Sequence, residues 1–413
     1  MGNGIRDQLS LTGHDRRLAD LGRLASLGAR AVRYPVLWGR SSNAREATDW
    51  EWAEERIGGM NAFGVEPVVG LLHHGFGPRG ADPRQPGWAA AFADYAATVA
   101  RRFPAVRTYL PINEALTTAR FGGLYGWWPP YARDHAIFGH LILSQAEALT
   151  EAARAIRAVT PGARIIVNED VGRTYGTAEC QAAVDFDNHR RWLTFDLVTG
   201  AVDRSHPLWR YLAASPAHRL ILDKLSSEPA PPDVLGIDHY ITSDRYLDHR
   251  LDLFPESSHG GDGRLAYADV EMARVEGYDV TGLPRVLRET WQRYRRPLAL
   301  TEIALAGPLD DQVAWWSEAW SAAMTAHGHG IPILAVTAWA AFGAYDWMTL
   351  LREPRGTYEP GCFDVRSWPP RRTELALAVK ATADGGPPTA TTGWWRRDGR
   401  ALYSGKLAGE AAV

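Results

Sequence analysis

Two glutamates occupy positions from which a carboxyl group can act on a substrate. Glu114 ends the run Leu110-Pro-Ile-Asn113-Glu114, and Glu302 ends the run Pro297-Leu-Ala-Leu-Thr-Glu302. Each follows a short apolar stretch, so each belongs at the C-terminal end of a buried strand. In a parallel barrel that is the face where catalytic groups collect. Cleavage of a glycosidic bond needs two such carboxyls. One protonates the leaving oxygen, and the other attacks, or activates water, from the opposite face of the ring. Either glutamate alone reads equally well as a solvated strand terminus; the pair favours catalysis.

Other residues near strand ends narrow the chemistry. Arg33 lies on an apolar strand, where a guanidinium is a poor core residue unless it has a partner. His73 and His74 are adjacent and therefore face opposite ways on a strand. No HExxH pattern accompanies them, which argues against a metal half-site. A sugar contact from His74 and packing from His73 are the expectation. Tyr240 reads either as core or as a partner for a carboxylate. Trp339 reads as a sugar platform in preference to core filling, because an indole offers a large flat apolar face. Asn168-Glu169-Asp170 is a rival carboxylate cluster at another strand end. It is read as substrate-binding or as a helix-capping turn, and not as catalytic.

The elements that must hold these groups are legible as alternating patterns. Seven short apolar runs, 29–34, 66–72, 106–112, 163–167, 233–237, 297–301 and 332–339, are bounded by turn residues. They read as buried parallel strands. Helical periodicity spans 16–27, 50–63, 88–103, 138–159 and 312–326. Strand–helix alternation sustained this long predicts an α/β fold, a (β/α)8 TIM barrel over residues 1–380. A closed barrel has eight strands, and the first is not recognisable here. Residues 1–10 do not read as a barrel strand; either the strand is lacking or another segment fills its place. The stretch from Thr242 to Gly282 reads as a long active-site loop. Residues 381–413 read as a Pro/Gly/Thr linker and a short hairpin-like extension, turning at Asp398-Gly399 and packing on the barrel floor or edge.

Composition excludes several classes. The chain has 413 residues, 46% of them hydrophobic, and a formal net charge of −3. That balance leaves no basic footprint for nucleic acid or an anionic membrane. The two cysteines, Cys180 and Cys362, are far apart and form no CxxC pair, so reduced thiols are expected. No apolar leader or membrane-length run is evident, and the expected location is cytoplasmic. Gly260-Gly-Asp-Gly263 follows no strand and opens no helix, so it is no dinucleotide fingerprint. No cofactor and no metal are expected, and the oligomeric state is left open. Seventeen tryptophans tilt the reading toward carbohydrate.

The motifs, taken in order, resemble glycoside hydrolase family 1, the β-glucosidase-like enzymes. Asn113-Glu114 resembles its Asn-Glu-Pro signature, and Thr301-Glu302 its Thr-Glu-Asn-Gly nucleophile motif. Arg33-Tyr34-Pro-Val-Leu-Trp38 resembles Arg-Phe-Ser-x-x-Trp. His73-His74 resembles the His-Trp turn after strand three. Leu235-Gly-Ile-Asp-His-Tyr240 resembles Leu-Gly-Ile-Asn-Tyr-Tyr. Trp339 with Gly343-Ala-Tyr-Asp-Trp347 resembles the Trp-rich stretch at strand eight. The likeness runs from about residue 10 to 380. It points to a divergent bacterial branch, related to a domain found fused to sugar-nucleotide reductases.

The resemblance implies a retaining β-glycosidase acting on a small glycoside. Glu302 would be the nucleophile and Glu114 the acid/base, with carboxyls about 5–5.5 Å apart. Arg33 would hold Glu302 ionised and Tyr240 would orient it. Asn113 would meet the sugar 2-hydroxyl, and His74, Trp339, Asp346 and Trp347 would line the sugar. Five features depart from the family, the first being that the Gln which would grip the glycone from the end of strand one has no counterpart. Ala115 replaces Pro, Ile303-Ala304 replaces Asn-Gly, Asp238-His239 replaces Asn-Tyr, and Asp346 replaces a Glu. The recognition groups are altered while the chemistry is kept. Transglycosylation to an alcohol acceptor, or a catalytically inactive sugar-binding barrel, are the alternatives.

Overall fold

The computed structural model describes residues 7–39, 49–275, 282–400 and 402–403. Seven parallel strands form one curled sheet: β1 (Ala31–Pro35), β2 (Glu66–His73), β3 (Thr108–Asn113), β4 (Arg164–Asp170), β5 (Val234–Asp238), β6 (Leu298–Ile303) and β7 (Ile333–Ala338). They pair in chain order, each with the next. Every connection is a helical crossover, so the fold is a (β/α)8-type barrel in which the first strand is not among the described residues. Counted in such a barrel, β3 and β6 are the fourth and seventh strands.

Apolar residues of both parities explain why β3, β5 and β6 are buried throughout. One parity faces the helices, and the other fills the barrel. Leu110, Ile166, Val234 and Ala299 make the apolar floor of the interior. Helix starts are fixed by side chains. Asp134 accepts from the backbone N–H groups of Ala136 and Ile137 and starts the helix His135–Val159, which satisfies orphan donors of its first turn. That helix packs against Trp88–Arg102 through residues such as Phe92, Phe138 and Ile142, all inaccessible to solvent.

β1 and β7 are the edge strands of the described sheet. Leu334 on β7 is 54% exposed, and no large hydrophobic residue on the other six strands is exposed. The helical layer bridges these two edges. His14 reaches Tyr34 at the end of β1 through Nε2 (2.8 Å), binds Asp20 through Nδ1 (2.9 Å) and stacks on Phe342 beyond β7 (4.7 Å). Gln8 lies in a helical turn, Gln8–Leu11. Its side-chain amide pairs with both backbone groups of Tyr345, donating at 3.0 Å and accepting at 2.8 Å. Residues 1–6 of the first ten lie outside the described residues.

Two expectations are corrected. The stretch from Thr242 to Gly282 is not a plain loop. Arg245–Asp248, His259–Gly261 and Ala266–Glu271 join Thr174–Gly176 in a four-stranded sheet beside the barrel mouth. Tyr246, Phe254, Ala268, Val270, Met272 and Val275 give it a core of its own. Residues 276–281 fall outside the description. The C-terminal stretch makes no strand pair among the described residues. It forms a single-turn helix at Trp394–Arg396 and lies along the helix Leu309–Gly328. There Trp395 is fully buried, its indole N–H donates to Glu318 (3.0 Å), and Arg397 meets Asp311 (2.6 Å). Residues 404–413 fall outside the description.

Candidate active site

The barrel mouth changes from apolar to polar within one layer. Above the floor, Arg33 of β1, Asn113 of β3, Asn168 of β4, Asp238 of β5 and Glu302 of β6 converge. Gly236 makes this layer possible. A Cβ there would lie 2.6 Å from both the Asn168 Cβ and the Thr301 Oγ1, so any side chain would expel the two groups that reach Asp238.

Glu302 is gripped at both oxygens. Arg33 Nη1 donates to Oε1 at 2.6 Å, and the Tyr240 hydroxyl donates to Oε2 at 2.5 Å. Glu302 is 1% exposed, so neither bond competes much with water. Burial opposes the charge on Arg33, but the carboxyls of Glu302, Asp238 and Glu114 outweigh it and hold the guanidinium above its usual range. Burial, followed by the Glu302 and Glu114 carboxyls, pushes the Tyr240 phenol well up, so it keeps its proton and donates. Charge-assisted bonds of this kind are the strong ones.

Arg33 also organises the neighbouring strand. Its Nη2 donates to Asn113 Oδ1 and approaches His73 Nδ1 at 3.3 Å. Asn168 Nδ2 donates to the same Asn113 oxygen at 2.7 Å. Two donors on Oδ1 fix the orientation of the Asn113 amide, so its Nδ2 donates to His74 Nε2 at 3.0 Å. His74 Nε2 is therefore an acceptor, and its Nδ1–H donates to Thr118 Oγ1 at 3.1 Å. Burial first, then Arg33, lowers the His74 pKa to about 3, which keeps the ring neutral. Trp128 packs against it at 4.6 Å.

Glu114 sits in the opposite electrostatic setting. Its Oε2 lies 3.3 Å from His74 Nε2, and Glu114 is 3% exposed. Burial, then the carboxyls of Asp238, Glu302, Glu169 and Asp170, push its pKa well above the usual carboxyl range. Its backbone is left-handed, with φ 42° and ψ 66°. For a residue with a Cβ that conformation costs about 1–3 kcal/mol and persists only where neighbours enforce it. The mouth thus holds one carboxyl fed by two donors and one driven to keep its proton. Two neighbouring carboxyls in settings this different are suited to different work.

Asp238 is the third buried carboxyl of the layer. It accepts from Thr301 Oγ1 at 2.5 Å and from Asn168 Nδ2. Burial and then Glu302 push it well up, against the pull of Arg33. The remaining expected residues lie on the β7 side. Trp339 and Trp347 are in contact at 4.5 Å, and Trp347 reaches Tyr240 at 6.3 Å. A small pocket lined by Leu305, Gln312, Trp339, Trp347 and Glu359 opens there. Asp346 is buried, and its Oδ1 accepts from Thr357 N–H at 2.8 Å, so one carboxylate oxygen shapes its own loop.

Solved structures give this arrangement a context. A Thermotoga maritima β-glucosidase in complex with deoxynojirimycin superposes with a TM-score of 0.74 at 17% identity, covering 91% of this chain and 88% of that one. The same enzyme with cyclophellitol gives 0.73 at 16% identity, again over 91% and 88%. The chain has the fold of a family 1 β-glucosidase. A structure so described gives a TM-score of 0.72 at 17% identity, over 91% and 88%. No protein-family model and no curated protein sequence matches. Among the described residues no helix is long and apolar enough to cross a membrane, and no group of three or more His, Cys, Asp or Glu could hold a metal ion.

The sequence missed Thr118 and gave no partners to Thr301, Asn168 and Glu169, which it named only within motifs. Asn168 and Glu169 carried a signal, a polar triplet at a strand end. Their partners carried none, because they are ordinary threonines and backbone amides brought close only by the fold.

Proposed function

We propose that the protein is a retaining β-glycosidase that hydrolyses a small glycoside, a member of a divergent branch of the family 1 enzymes. The observation that carries the reading is the contrast between its two carboxyls. Glu302 accepts from Arg33 and Tyr240 and serves as the nucleophile at the anomeric carbon. Glu114, held protonated, gives its proton to the leaving oxygen. The bond between sugar and leaving group breaks as the Glu302–sugar ester forms. Glu114, now a carboxylate, takes a proton from water, whose oxygen displaces Glu302 and frees the sugar. Asn113 and His74 border the sugar from β3 and β2, and Trp339, Trp347 and Asp346 border it from the β7 side. The likeness to β-glucosidases in complex with deoxynojirimycin and cyclophellitol supports a sugar in this mouth.

The test is intact-mass spectrometry after incubation with a panel of 2-deoxy-2-fluoro glycosyl fluorides, followed by peptide mapping. A covalent sugar on Glu302 is expected. A label on another residue, or hydrolysis of the fluorides with inversion, would sink the retaining assignment.

A further inference from the structure

The carboxyl of Glu169, at the end of β4, does not face the barrel mouth. It is fully buried and accepts from four donors on two other elements: Leu116 N–H (2.8 Å), Thr117 N–H (3.2 Å), Thr117 Oγ1 (2.9 Å) and Thr194 Oγ1 (2.8 Å). Leu116 and Thr117 belong to the short helix Ala115–Ala119 that begins directly after Glu114. A carboxylate that only accepts, with each oxygen taking two donors, matches an anion.

We propose that Glu169 is a positioning residue for Glu114, clamping the turn that holds it in its left-handed conformation. Two independent observations meet here. The backbone of Glu114 needs an external constraint, and the two N–H groups just beyond it are tied to a side chain from another strand. Glu114 N–H itself points at Asn168 Oδ1 (3.4 Å), the residue preceding Glu169, so β4 holds the turn from both sides. The charge acts in the same sense, since Glu169 is one of the carboxyls that push Glu114 up. The groups facing Glu169 are the hydroxyls of Thr117 and Thr194 and, at longer range, Arg120. Burial pushes Glu169 up to about 7, against the pull of its donors. The inference deepens the glycosidase reading and rests on it for its kinetic consequence alone.

The experiment compares wild type with Glu169→Gln and with Thr194→Val, a milder change that removes one donor. The first measurement is the titration midpoint of Glu114, followed through isotope-labelled glutamate carboxyl resonances and assigned with Glu114→Gln. Glu169→Gln is expected to lower the midpoint by about half a pH unit or more, through loss of a like charge. Thr194→Val is expected to move it the same way by less. The second measurement is kcat/KM for phenyl and 2,4-dinitrophenyl β-glucosides. Glu169→Gln is expected to hurt the phenyl glucoside about ten-fold more, because only that substrate needs the acid. The basic limb of its pH profile should fall with the midpoint. An unchanged midpoint in both variants overturns the proposal, as does an equal loss for both glucosides. A midpoint shifted in the variants, beside a wild type that turns over no glycoside, sinks the glycosidase reading and leaves the clamp standing.

Discussion

Nε2 of His74 carries no proton and lies 3.3 Å from Oε2 of Glu114. The Asn113 amide, fixed by Arg33 and Asn168, dictates that state. An unprotonated ring nitrogen has no hydrogen bond to give a carboxylate, and its partial negative charge favours the carboxylic acid. The neighbour that resembles a sugar ligand in the sequence is thus also part of the setting that favours the acid form of Glu114.

This arrangement has a cost that depends on pH. The folded His74 has a pKa of about 3 against 6.5 for an ordinary histidine. The unfolded chain therefore binds a proton below about pH 6.5 that the folded chain refuses. The stability is fully present above that value and is lost as pH falls toward 3, by up to about 5 kcal/mol. Urea unfolding at about pH 7 and about pH 4 checks this. His74→Asn should lose less stability over the interval than wild type, and an equal loss would contradict the burial of a neutral ring.

Removing one partner of the Arg33–Glu302 pair leaves the other buried and uncompensated. Arg33→Met should cost about 3–5 kcal/mol, as breaking buried pairs does. The double change Arg33→Met with Glu302→Gln should recover much of the stability and none of the turnover. Thermal unfolding of the four proteins closes the cycle. Additive losses would show that the pair is not energetically coupled.

The two glutamates should respond differently to the leaving group. Glu114→Gln should leave sugar transfer from a dinitrophenyl glycoside close to wild type while slowing a phenyl glycoside by about 10²–10⁴-fold, the usual worth of a positioned acid. Glu302→Gln should stop covalent labelling with either. Stopped-flow release of the phenol measures the first, and intact mass the second. Parallel losses in both variants would contradict the division of labour.

Trp395 is fully buried against Trp315 and bonded to Glu318. Trp395→Ala should destabilise the fold by about 3–5 kcal/mol while leaving the hydrogen bonds of Glu302 at the mouth intact. Denaturant titration checks the cost. A change within experimental scatter would show that the C-terminal stretch rests on the barrel without stabilising it.

Sequence reasoning reached what is local and missed what is not. The apolar runs and their terminal Glu114, Glu302, Arg33 and Asn113 are legible because a buried strand and the polar residue ending it are contiguous in the chain. The seven strands follow those runs to within a few residues. The sheet at Arg245–Asp248 escaped because its strands are short and of mixed polarity, and one partner, Thr174–Gly176, lies about seventy residues earlier. Trp395 escaped for the same reason: nothing near it in sequence announces Trp315. Glu169 was noticed as a carboxylate, but a clamp on Leu116 and Thr117 exists only once β3 and β4 are side by side.

The pairing of Gln8 with Tyr345 has a mechanical consequence. One side-chain amide ties the start of the described chain to the residue just before Asp346 and Trp347. Tension or slack at the N-terminus is therefore delivered first to that corner of the mouth, ahead of any barrel strand. A fused tag, a surface tether or a protease acting there works as a lever on Trp347, and a handle for immobilising the protein belongs at some other point on its surface.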